Sequence, residues 1–207
     1  MATISTELRA ALLAHWNALL PSTPELAEGL LERWSEPARH YHGLSHLDHV
    51  LTVIDELAEP HHDRRLVALA AWYHDAIYQL PPDATSNEEA SARLAERELS
   101  PYRMGVEVAR LVRLTADHRV SEDDADGALL CDADLAILAA EPPDYRRYAA
   151  GIRREYGFVP EPAFRLGRAQ VLRGLLALPR LFHTVRGSRW EAAARRNLTA
   201  ELALLEE

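Results

Sequence analysis

An all-α fold follows from two features of the sequence. Apolar residues recur with helical period along almost the whole chain, and no stretch alternates apolar and polar residues long enough to build a sheet. The breaks between periodic segments carry N-cap residues and prolines, as helix boundaries should. With 207 residues, of which 48% are hydrophobic and 27% charged, the chain can bury one good core, so a single compact multi-helix domain spanning 1–207 is expected.

The first helix is expected from about Thr6 to Leu20. A second follows Thr23-Pro24, where Thr is an N-cap and Pro a tolerated first helical residue, and it stops near Ser35 to Pro37. Arg39 to Leu44 reads as irregular and His-rich. Ser45 then caps a helix to about Leu57, with Asp48 three residues on as in a capping box. Asp63 caps the next, which the apolar run carries through Tyr78. Pro81 to Ser86 is a Pro-broken loop, and Asn87 caps a helix over Glu88 to Leu99. Helices over Gly105–Asp117 and Gly127–Ala139 flank an acidic stretch, Ser121 to Asp126. That stretch lacks the spaced ligands and terminal Glu of an EF-hand, so it reads as a solvated connection. The last three helices run from Pro142 to about Tyr156, Glu161 to Leu178 and Ser188 to Leu205. Leu198, Leu202, Leu204 and Leu205 make the final one able either to close the core or to pair subunits in a homodimer.

Composition removes several function classes. There are 32 acidic and 23 basic residues, a net charge of -9, so a non-specific grip on nucleic acid or an anionic membrane is not expected. All the basic residues are Arg; without Lys there is no P-loop lysine, Schiff base or Ser-Lys pair. No Gly-x-Gly-x-x-Gly marks a dinucleotide fold. Cys131 is the single cysteine, which excludes an intrachain disulfide and a cysteine-rich zinc site and suits a reducing compartment. No apolar run approaches the roughly 18 residues of a membrane helix. Glu7, Arg9 and His15 stand where a signal peptide would be apolar. The expectation is a cytoplasmic protein acting on a small molecule.

Ten histidines beside many carboxylates are the chemical resource. His46, His74-Asp75 and Asp132-Ala133-Asp134 fall on three different helices, and imidazoles with carboxylates suit a divalent metal of intermediate softness. His74-Asp75 follows the apolar run Leu66 to Tyr73, where a carboxylate needs a partner or a metal to be buried at all. Asp132 and Asp134 lie about 200° apart around a helix, so only one can face a given site. Asp134 shares the slightly more apolar stripe with Leu130, Ile137 and Leu138 and is the preferred ligand, Asp132 a supporting carboxylate.

The order His, His-Asp, Asp resembles the HD superfamily of metal-dependent phosphohydrolases. The likeness extends over Arg39-His40-Tyr41-His42-Gly43-Leu44-Ser45-His46, Trp72-Tyr73-His74-Asp75-Ala76-Ile77-Tyr78 and Asn87-Glu88-Glu89-Ala90-Ser91-Ala92. It continues through Thr115-Ala116-Asp117-His118, Asp132 to Leu138, Ile152 to Tyr156, Gly167-Arg168 and Ala194 to Leu198. These strings are similar to a bacterial branch of predicted HD phosphohydrolases and cover nearly the full chain. The resemblance implies an HD-domain bundle with the metal between core helices and His46, His74, Asp75 and Asp134 as ligands. The ion would be Mn, Mg, Fe, Co, Ni or Zn, which the sequence does not choose among. The substrate would be a small phosphorylated molecule, a nucleotide being one option.

Glu88 is a candidate general base and His118 a candidate acid at the leaving oxygen. Their structural alternatives are helix-dipole partners at an N-terminus and a C-terminus. Arg39, His42 and Arg168 are candidate substrate contacts. His49, three residues after His46, ranks behind it; His15, His40, His61, His62 and His183 read as solvated or packing residues. His74-Asp75-Ala76-Ile77-Tyr78-Gln79 departs from the His-Asp-x-x-Glu-Asp of alarmone hydrolases. The chain also lacks the Gly-Tyr-Pro of cyclic-dinucleotide relatives, having Tyr156-Gly157-Phe158. Two alternatives remain: an HD-type di-iron oxygenase, which resembles a pattern with two further His where this chain has His118, and a non-catalytic metal-containing binding module.

Overall fold

In the computed structural model, which describes residues 2–81 and 85–206 with side chains from residue 6 onward, the described residues form ten α-helices and no strand. They are α1 (Ala2–Leu19), α2 (Pro24–Trp34), α3 (Leu44–Leu57), α4 (Arg64–Tyr73), α5 (Asn87–Leu99), α6 (Gly105–Leu114), α7 (Ala125–Leu135), α8 (Pro142–Glu155), α9 (Glu161–Ala177) and α10 (Glu191–Glu206). Part of the expected loop over 81–86 lies outside the described residues. No helix among those described is long and apolar enough to cross a membrane.

A helix that is apolar on every side belongs in the middle of a core. Every residue of α4 from Val67 to Tyr73 is buried, and α1, α3, α5, α6 and α7 pack around it. A second apolar cluster joins α8, α9 and α10 to the 3-10 turn Ala136–Ala139, through Tyr145, Tyr148, Leu172, Phe182 and Leu198. Trp190 packs against both clusters. In α10, Leu198 is buried, Leu202 and Leu205 pack on the second cluster, and Leu204 stays 63% exposed.

The helices lie where helical period places them, but several ends differ, and each has a tertiary cause. The fourth helix stops at Tyr73 instead of running to Tyr78. Beyond it, Ala76 N–H turns back to Tyr73 O (3.0 Å), and the Arg39 guanidinium takes the Asp75 and Ala76 carbonyls (2.6 and 3.3 Å). The sixth stops at Leu114 instead of Asp117: His118 takes a left-handed φ of 54° and its N–H caps Leu114 O at 2.8 Å. The seventh begins earlier, on Asp124, whose carboxylate accepts from Gly127 N–H (3.0 Å), and it tightens into the 3-10 turn after Leu135. Asp124 is thus a cap in the acidic connection. Gly43, not Ser45, precedes the third helix, with no side-chain cap. Ser86, not Asn87, caps the fifth by accepting from Glu89 N–H, while the Asn87 amide is spent on the backbone N–H and O of Gln79.

Candidate metal centre

Three elements meet at the centre. The first turn of α3 supplies His46, the C-terminal end of α4 supplies His74 and Asp75, and the last turn of α7 supplies Asp134. His74 Nδ1–H donates to Ala71 O at 2.8 Å, which fixes its tautomer and leaves the Nε2 lone pair pointing into the site. The Nε2 atoms of His46 and His74 are 3.2 Å apart. Asp75 Oδ2 lies 3.3 Å from His74 Nε2 and 3.8 Å from His46 Nε2. His46, His74 and Asp75 thereby form a group that could hold a metal ion. Asp134 Oδ1 joins it through both imidazoles, at 3.2 Å from His46 Nε2 and 3.6 Å from His74 Nε2.

The donor set fits a divalent cation. Adjacent ligands of an ion bound at about 2.1 Å stand about 3.0 Å apart, close to the shorter spacings here. Neutral imidazoles and carboxylates facing one another are all lone-pair donors, so something positive must sit among them. Burial lowers the His46 pKa; burial also works against a charged His74, but Asp75 and Asp134 outweigh it and raise that group. Burial likewise opposes ionised Asp75 and Asp134, and the adjacent histidines hold both carboxyls below the ordinary range.

Asp132 lies on the other side of α7 and serves a different purpose. Its oxygens accept from His183 N–H (2.7 Å), Thr184 N–H (2.8 Å) and Thr184 Oγ1–H (2.7 Å), tying the segment before α10 to the core. Burial raises its pKa to about 6 even against these donors. Gly187 passes so close that a Cβ there would stand 2.3 Å from Asp132 Oδ2.

The other candidates divide. His42 and Glu88 line a cleft that opens from the metal centre, and so does His118, whose Nε2 is bonded to Asp134 Oδ2 at 2.9 Å. His118 thus meets Asp134 beside the position at the leaving oxygen that is expected for it. Arg39 is expected at the substrate, but its side chain is 1% exposed. Its guanidinium binds the carbonyls of His42, Asp75 and Ala76 and lies against the Trp34 and Tyr78 rings. It fixes the turn that carries Asp75. Arg168 borders the cleft with its charge already answered by Glu201 (2.8 Å) and Tyr148 Oη (3.1 Å), so it is a buried structural ion pair and not a free phosphate ligand. His49 stands outside the donor group; His15 accepts from Trp72 Nε1–H, and the His61 ring lies tilted against that of His62.

Two residues without an assigned role in the sequence reading stand beside the centre. Tyr41 lines the cleft with Asp75 and Asp134, its ring 4.8 Å from that of His46, and its buried hydroxyl has no hydrogen-bond partner among the described residues. Glu155 accepts from the backbone N–H of Tyr41 (2.7 Å) and His42 (2.9 Å), meets His42 Nδ1 at 2.7 Å and accepts from Tyr78 Oη–H at 3.1 Å. The position of Tyr41 between two histidines is its only local signal. Glu155 has none, because its partners are 77 to 114 residues away in the chain. No family model, curated protein or solved structure matches the chain.

The Glu155 contacts give a pH prediction. Burial raises its pKa, but His42 and the two backbone donors outweigh this and bring it from 4.5 to about 2. A carboxyl depressed in the folded state adds stability that is fully present above its unfolded pKa and is lost as the pH falls through the folded one. The thermal-midpoint advantage of wild type over Glu155→Gln should therefore shrink between about pH 4.5 and pH 2 and stay flat above pH 6. An advantage that grew on acidification would contradict the assignment.

Proposed function

We propose that this chain is a metal-dependent phosphohydrolase of the HD type, acting on a phosphate ester of a small molecule. The observation that carries the reading is the convergence of two imidazole Nε2 atoms and two carboxylates at the inner end of an accessible cleft. Two histidines and two carboxylates leave coordination positions for water and a phosphate oxygen, and a bound ion would supply Lewis acidity and an acidified water.

The chain's own residues supply the remaining parts. Tyr41, whose ring lies against His46 and whose buried hydroxyl has no partner among the described residues, would donate to a phosphate oxygen once a small turn of the ring brings that hydroxyl into the cleft. His42 is held at Nδ1 by Glu155, which leaves Nε2 to meet the leaving oxygen from the cleft wall. Glu88, at the start of α5, has no hydrogen bond or ion pair among the described residues and borders the same cleft, so its carboxylate is available to take a proton from water. His118 keeps Asp134 turned toward the two imidazoles.

The test is inorganic phosphate release from a panel of sugar phosphates, alkyl phosphates and nucleotides, with Mn²⁺ or with chelator, for wild type and Asp75→Asn. Metal-dependent release that falls by at least about a thousandfold in the variant supports the reading. Release that persists in chelator, or no release from any ester by the metal-loaded protein, counts against it.

A further inference from the structure

The cleft that leaves the metal centre holds about 760 Å³, within the range of small-molecule sites. Its inner end is polar, with Tyr41, His42, Asp75 and Asp134; outward, its walls are Ile137 and Leu138 on one side and Phe164, Val171 and Leu175 of α9 on the other. Two features of α9 point to an occupant. Gly167 and Gly174, two turns apart, both border the cleft, and a Cβ on either would meet no atom within 4 Å, so the helix is thinned where the cleft passes. Val171, between them, leaves 53% of its surface exposed in that wall.

The charge in the lining narrows the occupant further. Four carboxylates border the cleft, Asp75, Glu88, Asp117 and Asp134, against two guanidinium groups, so a bound divalent ion brings the lining only to neutrality. Arg168 is paired with Glu201, and Arg119 lies 3.8 Å from Asp117. Arg168 is thus held in a buried pair, and Arg119, its side chain 75% exposed, is the one guanidinium of the described cleft lining outside such a pair. Apolar walls reward hydrocarbon, and a lining with no net positive charge disfavours a polyphosphate.

We infer that the substrate is a phosphomonoester with one phosphate on an elongated hydrocarbon body, the phosphate at the metal centre and the body along α9. The inference rests on the hydrolase reading for the phosphate and on the cleft for the body. The test is calorimetric titration of the Mn²⁺-loaded protein with ethyl-, butyl-, hexyl- and octylphosphonate, which cannot be hydrolysed, and with AMP and ATP. Affinity should rise about tenfold for each two added methylenes, and octylphosphonate should bind more tightly than either nucleotide. Gly174→Leu, a change toward higher helix propensity, should abolish the gain for octylphosphonate while ethylphosphonate affinity and metal content stay as in wild type. Affinity independent of chain length, a nucleotide that binds more tightly than octylphosphonate, or a gain untouched by Gly174→Leu would each overturn the substrate class and leave the hydrolase reading standing. A chain-length gain that survives in chelator would keep the hydrocarbon site and instead remove the phosphate from the metal.

Discussion

Asp75→Asn and His74→Ala should each lower metal affinity by more than about a hundredfold, beyond the 10–100-fold cost of losing a supporting partner. Asp75 Oδ2 and His74 Nε2 are 3.3 Å apart in a group that His46 and Asp134 close among the described residues, so His74→Ala removes a donor, Asp75→Asn exchanges an anionic oxygen for a neutral one, and each leaves a set too weak to hold an ion. Metal that binds only the folded chain stabilises it by about 2.7 kcal/mol at a hundred times its Kd. For a chain of this size that is a rise of about 5–10 °C in thermal midpoint. Wild type should show this rise with Mn²⁺ and lose it with chelator; the two variants should show neither, and elemental analysis should find them metal-poor. A variant that retained stoichiometric metal would place the centre elsewhere.

The residues that meet at the candidate centre are legible in the sequence because their chemistry is local. An imidazole next to a carboxylate at the end of a wholly apolar helix requires a partner wherever the chain folds, and helical period puts His46, His74 and Asp134 on separate core elements. Helix existence was legible for the same reason, since apolar spacing decides which segments bury a face. What the sequence hid depends on partners far along the chain. The end of α4 at Tyr73 is imposed by Arg39, whose guanidinium on the Asp75 and Ala76 carbonyls holds the turn outside the helix. An Arg in an irregular His-rich stretch looks like a phosphate ligand until those carbonyls are seen to occupy it. Arg168 misleads in the same way because Glu201, not a substrate, is its counter-charge. Glu155 acts by gathering Tyr41, His42 and Tyr78 from two other segments, and no periodicity announces that.

Asp132 and Asp134 offer the sharpest separation, because two carboxylates one residue apart should fail in opposite ways. Asp132→Ala removes the acceptor of two backbone N–H groups and one hydroxyl at a fully buried position, and unpaired buried donors cost about 1–3 kcal/mol each. Allowing for some relaxation of the 183–187 segment, the loss should be about 2–4 kcal/mol in urea unfolding, with metal affinity close to wild type. Asp132→Asn should recover only part of this, since both oxygens accept from backbone N–H groups and an amide nitrogen cannot replace either. Asp134→Ala leaves those bonds intact. It deprives His46 and His74 of their shared carboxylate and His118 of its acceptor, so it should lose metal and the metal-induced rise in thermal midpoint. Equal metal loss in Asp132→Ala and Asp134→Ala would mean that α7 presents the other face to the centre. Stability loss confined to Asp132→Ala, with metal loss confined to Asp134→Ala, is the pattern expected when opposite faces of one helix carry a structural anchor and a ligand.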